Sequence, residues 1–526
     1  MFKWLANRGD ADPVARAREH LQGMTGSPAA VVQQVCDWLE DQLKDGTATP
    51  ELLALAQERF DPALAEIAAG LNAQRLTTAG PRVLRGYCER LARIQAQLFA
   101  GLPADAAATV TVTVAVRTAR QFCRASRLAR KSYEDPGSLR GEMMAFLAQA
   151  QQRGVLQQKI TPAPGLPETS VAQEFGATFL WDTAPFDALT LEQIEYLDRF
   201  MDFFASRVVL KAAPGATAPY AVLPDGRVAA PGQTDTGQAR LFVGPGPLVG
   251  LLAAVLQLTD KDPFPGWAGT PLPHTGLQTL RGLAERITAT WERKRIKRGS
   301  ERIARNDAVR VTGGFENIRR AVAYSAYVRS GGKLRAYITH SKILNERSRD
   351  VMVGIEEDGK SHTPLETLAA MEAAGDQQAI ESWRATDSSA SGFSMAVPGF
   401  RPWLGVGGLL AVREADRIDW QVGIVRRLYS AGGGRRSGIE LLQGMALPAG
   451  LASGDRPDQV ELADLRDAIV IRGAAATWLI TPFACPIGEC FVLVSYEGRQ
   501  RVRVGGRHME HADYTVSVIE PVAAVV

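Results

Sequence analysis

Apolar residues recur at helical spacing through the first half of the chain and at alternating spacing towards its end. In "SPAAVVQQVCDWLEDQL", Ser27 offers an N-cap and Pro28 a first-turn proline. Val31, Val35, Trp38 or Leu39, and Leu43 then share one face. "TPELLALAQERF" repeats the start signal at Thr49, and "TLEQIEYLDRFMDFF" opens with a capping box, Thr190 with Gln193, ahead of the stripe Ile194, Leu197, Phe200 and Phe204. These periods predict packed helices. A Pro- and Gly-rich stretch from Ala213 to Pro247, with short pieces such as "PYAVL" and "ARLFV", predicts an irregular excursion or a small hairpin layer.

The period changes again at "WERKRIKRGSERIARNDAVRVTGGF", where a basic helical segment runs into the strand-like "AVRVTG". Helices are expected around "FENIRRAVAYSAYV" and in "TPLETLAAMEAAG", which Thr363, Pro364 and Glu366 open as a further capping box. From Ser382 onward the pattern predicts strands: "SWRAT", "GFSMAV", "LLAVRE", "WQVGIVRRLY" and "GIELL", with a glycine-rich loop "SAGGGRRS" before the last. After Gly444, "DAIVIRG", "TWLITPF", "ECFVLVSYEGRQRVRVG" and "DYTVSVIEP" alternate as a second β element, with Glu497-Gly498 able to turn a hairpin.

At 526 residues the chain exceeds what one core serves, and two to four domains are expected. Acids and bases nearly cancel, leaving a formal charge of +3, so bulk charge does not mark a nucleic-acid binder and any basic site is local. The five scattered cysteines suit reduced thiols. The N-terminal "MFKWLANRGD" has no apolar run before its charges, and "LVGLLAAVLQL" is too short to span a bilayer. A cytoplasmic protein without a membrane span is expected.

Two constellations invite chemistry and are read blandly. "RTARQFCRASRLARKSYEDP" is dense in Arg and Lys without interleaved aromatics, and is expected to be a solvated helix face rather than a nucleic-acid helix. Cys485, Cys490, His508 and His511 have the wrong spacing for a zinc knuckle and read as two buried thiols and two surface imidazoles. No nucleophile elbow, Walker loop or paired-carboxylate signature is present, and "GGFENI" and "SAGGGRR" lack the Lys-Ser/Thr of a phosphate loop. No catalytic residue, metal or cofactor is expected, and the chain is not expected to be an enzyme.

Between "SWRAT" and "GFSMAV", the stretch "WRATDSSASGF" sets Asp387, Ser389 and Gly392 in a D-x-S-x-x-G pattern. Asp and Ser cap their own backbone and Gly accepts positive φ, so this is either a plain turn or a turn that reads a ligand. Together with "VGGLLAV", "WQVGIVRRL" and "RRSGIELL", it resembles the PilZ domain, a bacterial β-barrel module that binds cyclic di-GMP. That family pairs D/N-x-S-x-x-G with an R-x-x-x-R that precedes its first strand. Here "RGSER" supplies Arg298 and Arg302, Arg305 follows one helical turn on, and "AVRVTGG" comes next. "NERSRD", with Arg347 and Arg349, is a rival source of arginines with the wrong spacing.

The motifs stand farther apart than the family usually places them, which implies a helical insertion in the barrel over about residues 313–381. The resemblance implies that Arg298 and Arg302 grip phosphate oxygens or pair with guanine O6 and N7. Asp387 would then accept from the opposite guanine edge, Ser389 would complete the polar contacts and Gly392 would permit close backbone approach. The expected architecture is multidomain α+β: a helical domain over 1–292, a PilZ-type antiparallel barrel with its insertion over 293–444, and a C-terminal β domain over 445–526. The expected function is a non-enzymatic cyclic di-GMP receptor that relays ligand binding to a protein partner. The alternatives are a ligand-free scaffold on the same barrel and, more weakly, a nucleic-acid binder working through the basic helices.

Overall fold

The computed structural model describes residues 12–72, 79–162, 167–231, 239, 241–272, 276–292, 302–331, 363–374, 379–389, 391–431, 434–454, 457–511 and 513–522. The chain divides into two compact units, Met1–Arg295 and Ile296–Val526. The first is mainly helical and the second mainly antiparallel β, which is the α+β division that the change of period predicts.

The helical unit runs through α1 (Pro13–Gln22), α2 (Pro28–Lys44), α3 (Pro50–Asn72), α4 (Ala79–Gly101), α5 (Ala108–Lys131), α6 (Leu139–Gln152), α7 (Val171–Trp181) and α8 (Leu191–Phe204). Its start signals are physical caps: the Ser27 hydroxyl accepts from the Ala30 amide at 3.3 Å, and Thr190 and Gln193 satisfy each other's backbone N–H groups. Phe99, Phe122, Phe146, Phe175 and Phe179 form a chain of ring contacts at centroid separations of 5.1 to 6.3 Å. The Pro- and Gly-rich stretch is a small four-stranded sheet of β1 (Val209–Lys211), β2 (Tyr220–Val222), β3 (Val228–Ala229) and β4 (Leu241–Gly244), in the order β1-β4-β2-β3. Helices α9 (Leu248–Gln257) and α10 (Leu277–Trp291) follow.

The second unit opens with β5 (Ile303–Ala304), β6 (Ala308–Gly313), α11 (Phe315–Arg329) and α12 (Pro364–Ala374). It continues as β7 (Ile380–Ser389), β8 (Gly392–Val397), β9 (Leu409–Glu414), β10 (Gln421–Ala431) and β11 (Gly434–Leu441). Strand pairing closes a six-membered ring, β6-β9-β10-β11-β8-β7 and back to β6, with β5 extending the β6 side of β7. The strands either side of α11 and α12 pair directly, Val309 opposite Trp383 and Val311 opposite Glu381. Trp383 and Trp403 stack at 5.9 Å, and Met395, Leu410, Val412 and Leu428 are buried.

A second closed barrel is formed by β12 (Met445–Ser453), β13 (Arg466–Arg472), β14 (Thr477–Thr481), β15 (Cys490–Ser495), β16 (Gly498–His511) and β17 (Tyr514–Pro521). Helix α11 joins the two barrels. Its Phe315, Ile318, Ala321 and Val322 share one core cluster with Leu409, Ala411, Val422 and Ile424 of the first barrel and with Ile469, Ile471, Ile480 and Val516 of the second. Buried Arg319 of the same helix reaches Asp467 at 2.5 Å. Each strand pair therefore buries apolar residues on both faces near this seam, one set inside its barrel and one against α11.

Candidate functional site

The quoted D-x-S-x-x-G stretch is mostly strand rather than turn. Asp387, Ser388 and Ser389 belong to β7, and Gly392 begins β8 directly opposite Ser389. A register shift between Ala385 and Asp387 re-aims the end of β7. Buried Met395 and its partner Ala385 face the interior, whereas Asp387 is paired with Ser394, and Ser389 with Gly392, on the opposite side.

Gly392 is dictated by the barrel. A β-carbon there would lie 2.0 Å from the carbonyl oxygen of Ile439 on β11, closer than any real contact. The glycine thus lets a neighbouring strand approach, and its presence alone says nothing of a ligand.

The arginine segment comes to the same place. Ile303 pairs with Ser388 and Ala304 with Asp387, and the Arg305 amide donates to the Thr386 carbonyl at 3.0 Å. Arg302, just ahead of β5, is thereby set against Asp387, and its Nη1 lies 2.7 Å from the carboxylate Oδ1. Arg302 is 47% exposed and Asp387 25%, so both remain within reach of solvent. Arg305 is committed elsewhere: it bonds Asp307 at 2.6 Å and Glu414 at 2.7 Å, and lies over the Phe393 ring at 5.9 Å. Hydrogen bonds to Asp307 and Glu414 hold its guanidinium charged above the ordinary arginine range. Ser389 faces Ser391, with the two hydroxyl oxygens 3.4 Å apart. Arg298, and with it the rival pair Arg347 and Arg349, lies outside the described residues.

Register adds residues that sequence reading missed. Ala396 pairs with Arg384 of β7 on one side and Arg436 of β11 on the other, and Ser394 pairs with Gly438. Gly392, Ser394, Ala396 and Gly438 therefore lie on the same side of the strands as Asp387, Arg384 and Arg436, with Ser394 only 1% exposed and its hydroxyl bonded to that of Thr386 at 3.0 Å. Among the described residues neither the Arg384 nor the Arg436 side chain forms a hydrogen bond or ion pair. The available signal was alternation along "RRSGIELL" and "SWRAT", but which arginines share a face depends on pairing that the sequence does not display. The guanidinium groups of Arg384 and Arg436 can take a phosphate, while Asp387 can accept from paired N–H donors.

No His, Cys, Asp and Glu group among the described residues could hold a metal. Cys485 is buried as expected, while Cys490 is half-buried at the start of β15. No helix among the described residues is long and apolar enough to cross a membrane.

Residues 15–215 match the family model of the N-terminal domain of the cyclic-di-GMP receptor FimW. The match covers less than half of the chain, lies wholly in the helical unit and contains none of the barrel residues just described. No curated protein and no solved structure matches the chain.

Proposed function

We propose that the chain is a non-enzymatic receptor for cyclic di-GMP, with a PilZ-type site on the exterior of the first barrel. The observation that carries the reading is the meeting of two motifs distant in sequence: Arg302 and Asp387, 85 positions apart, form an ion pair where β5 docks on the end of β7. The match of the helical unit to a domain of a cyclic-di-GMP receptor supports the same ligand from an independent part of the chain. In this reading Arg302, joined by Arg298, takes phosphate oxygens. Asp387 accepts from a guanine edge, Ser389 adds a polar contact, and Arg384 and Arg436 border the second base or phosphate. Arg305 keeps the arginine segment docked at the barrel mouth. Ligand occupancy exchanges the Arg302–Asp387 bond for contacts to the dinucleotide, and that exchange is what a protein partner would read.

A second reading, a ligand-free scaffold, is favoured by one observation: Gly392 and the Arg302–Asp387 pair are both satisfied within the barrel. A double-mutant cycle separates the two. Arg302→Ala and Asp387→Ala should each weaken cyclic di-GMP binding by about tenfold to a hundredfold, since hydrogen bonds to charged groups contribute about 1.5–3 kcal/mol. Thermal stability should change by less than about 1 kcal/mol, because the pair is exposed. Unchanged affinity in both variants, with a lowered melting temperature, would leave the scaffold.

A further inference from the structure

Helix α5 carries five cations at alternating steps of three and four residues: Arg117, Arg120, Arg124, Arg127 and Lys131. That spacing places them on one helix face. The face does not look out on solvent, as its charge alone suggests. It lines a cavity of about 410 Å³ within the helical unit.

The two ends of the stripe differ. At the C-terminal end every cation is matched: Arg127 bonds Asp198 at 3.1 Å and also Asp202, and Lys131 bonds Glu195 at 2.8 Å and also Asp198. Towards the N-terminal end the matching thins out. Arg120 bonds Glu174 at 2.9 Å, whereas Arg124 only approaches Asp61, at 3.7 Å. The Arg117 side chain has no hydrogen bond or close ion pair among the described residues, with Asp61 and Glu58 acting on its charge only from farther off, and its Nε is shut off from solvent. Gln121, one turn on from Arg117 and lining the same cavity, is 3% exposed with its amide oxygen unpartnered. Burial pushes the Asp61 carboxyl up from its ordinary value, which lowers its opposition to an incoming anion.

A buried amide and a half-buried guanidinium without partners are costly in a folded protein unless something else satisfies them. We propose that this end of the cavity binds a phosphate-bearing small molecule, its phosphate held by the Arg117 and Arg124 guanidinium groups, while the Gln121 amide oxygen accepts from a donor elsewhere on the same molecule. Guanidinium forks match phosphate oxygens, and the cavity volume is in the range of small-ligand pockets. The site is independent of the barrel and does not rest on the reading given for it.

The test is calorimetry on the full chain with inorganic pyrophosphate and with GMP, against sodium acetate at matched ionic strength. Saturable binding of at least one phosphate probe, and none of acetate, is expected. Arg117→Gln should weaken it by at least about tenfold, while Arg302→Ala in the barrel should leave it unchanged. Equal affinities for the two probes would confine the site to the phosphate, and tighter GMP binding would extend it to the nucleoside. A readout without substitution is phenylglyoxal labelling read by mass spectrometry, in which the bound probe should protect Arg117. Absence of saturable binding by both probes, binding undiminished in Arg117→Gln, or labelling of Arg117 unaffected by the probe would overturn the proposal.

Discussion

Replacing Gly392 with alanine tests whether the last residue of the D-x-S-x-x-G stretch serves the barrel. The added β-carbon would stand 2.0 Å from the Ile439 carbonyl oxygen and 3.1 Å from its carbon. Real β-carbon contacts do not fall below 3.0 Å, so β8 and β11 must part by about 1 Å at this corner. Parting strains the Gly392–Glu440 pair and the neighbouring bond from the Leu441 amide to the Ser391 carbonyl, now 2.9 Å. One weakened ladder bond at about 0.5–1.5 kcal/mol, added to overpacking strain of about 1–3 kcal/mol, gives a local loss of about 2–4 kcal/mol.

The assay is native-state amide hydrogen exchange resolved to the β8 and β11 segments, which reports local opening in a chain of two units where a single melting curve would not. Exchange there should accelerate by about thirtyfold to several hundredfold. Gly405→Ala is the control, because nothing lies within 4 Å of the added carbon. If Gly392→Ala exchanged no faster than the wild type, the close strand approach would not be the reason for this glycine.

Two further outcomes follow from buried charge. Glu372 on α12 and Arg413 on β9 are both buried and joined by bonds of 2.9 and 3.0 Å, with Arg413 over the Trp420 ring, so Glu372→Ala should destabilise the second unit by about 3–5 kcal/mol in urea titration. In the helical unit, burial opposes the charge of Asp198, but Lys131 and Arg127 prevail and hold its pKa down to about 2 from an ordinary 3.8. A depressed carboxylate contributes stability above its unfolded pKa and loses it as pH falls through the folded one, so about 2 kcal/mol should be lost between pH 4 and 2. Asp198→Asn should remove that segment of the pH–stability curve, and a curve unchanged in the variant would exclude the residue as its source.

Much of the second unit was legible because its strands alternate strongly. "GFSMAV" and "LLAVRE" are β8 and β9 residue for residue. "DSS" reads as a turn because Asp and Ser cap their own backbone, yet pairing with β5 and β8 on its two edges holds it extended. Strand β12, "MALPAGLAS", gave no signal: it is Ala- and Gly-rich and contains Pro448. It tolerates the proline because it pairs with β15 only from Gly450 onward. The basic face of α5 was read as solvated, since periodicity shows which residues share a face but not what covers it. Asp198 and Glu195, which close over the lower half of that face, come from α8, far along the chain. In the barrel site, the resemblance to the PilZ pattern points to the arginines, whereas the commitment of Arg305 to Glu414, 109 positions away, is a product of topology.

The most direct measurement is calorimetric titration of the full chain with cyclic di-GMP, run beside GMP and double-stranded DNA. The account predicts saturable binding of the dinucleotide, micromolar or tighter, weakened in Arg302→Ala and not reproduced by GMP at the same site or by DNA. No heat of binding with cyclic di-GMP, or a titration identical in Arg302→Ala and wild type, would contradict it.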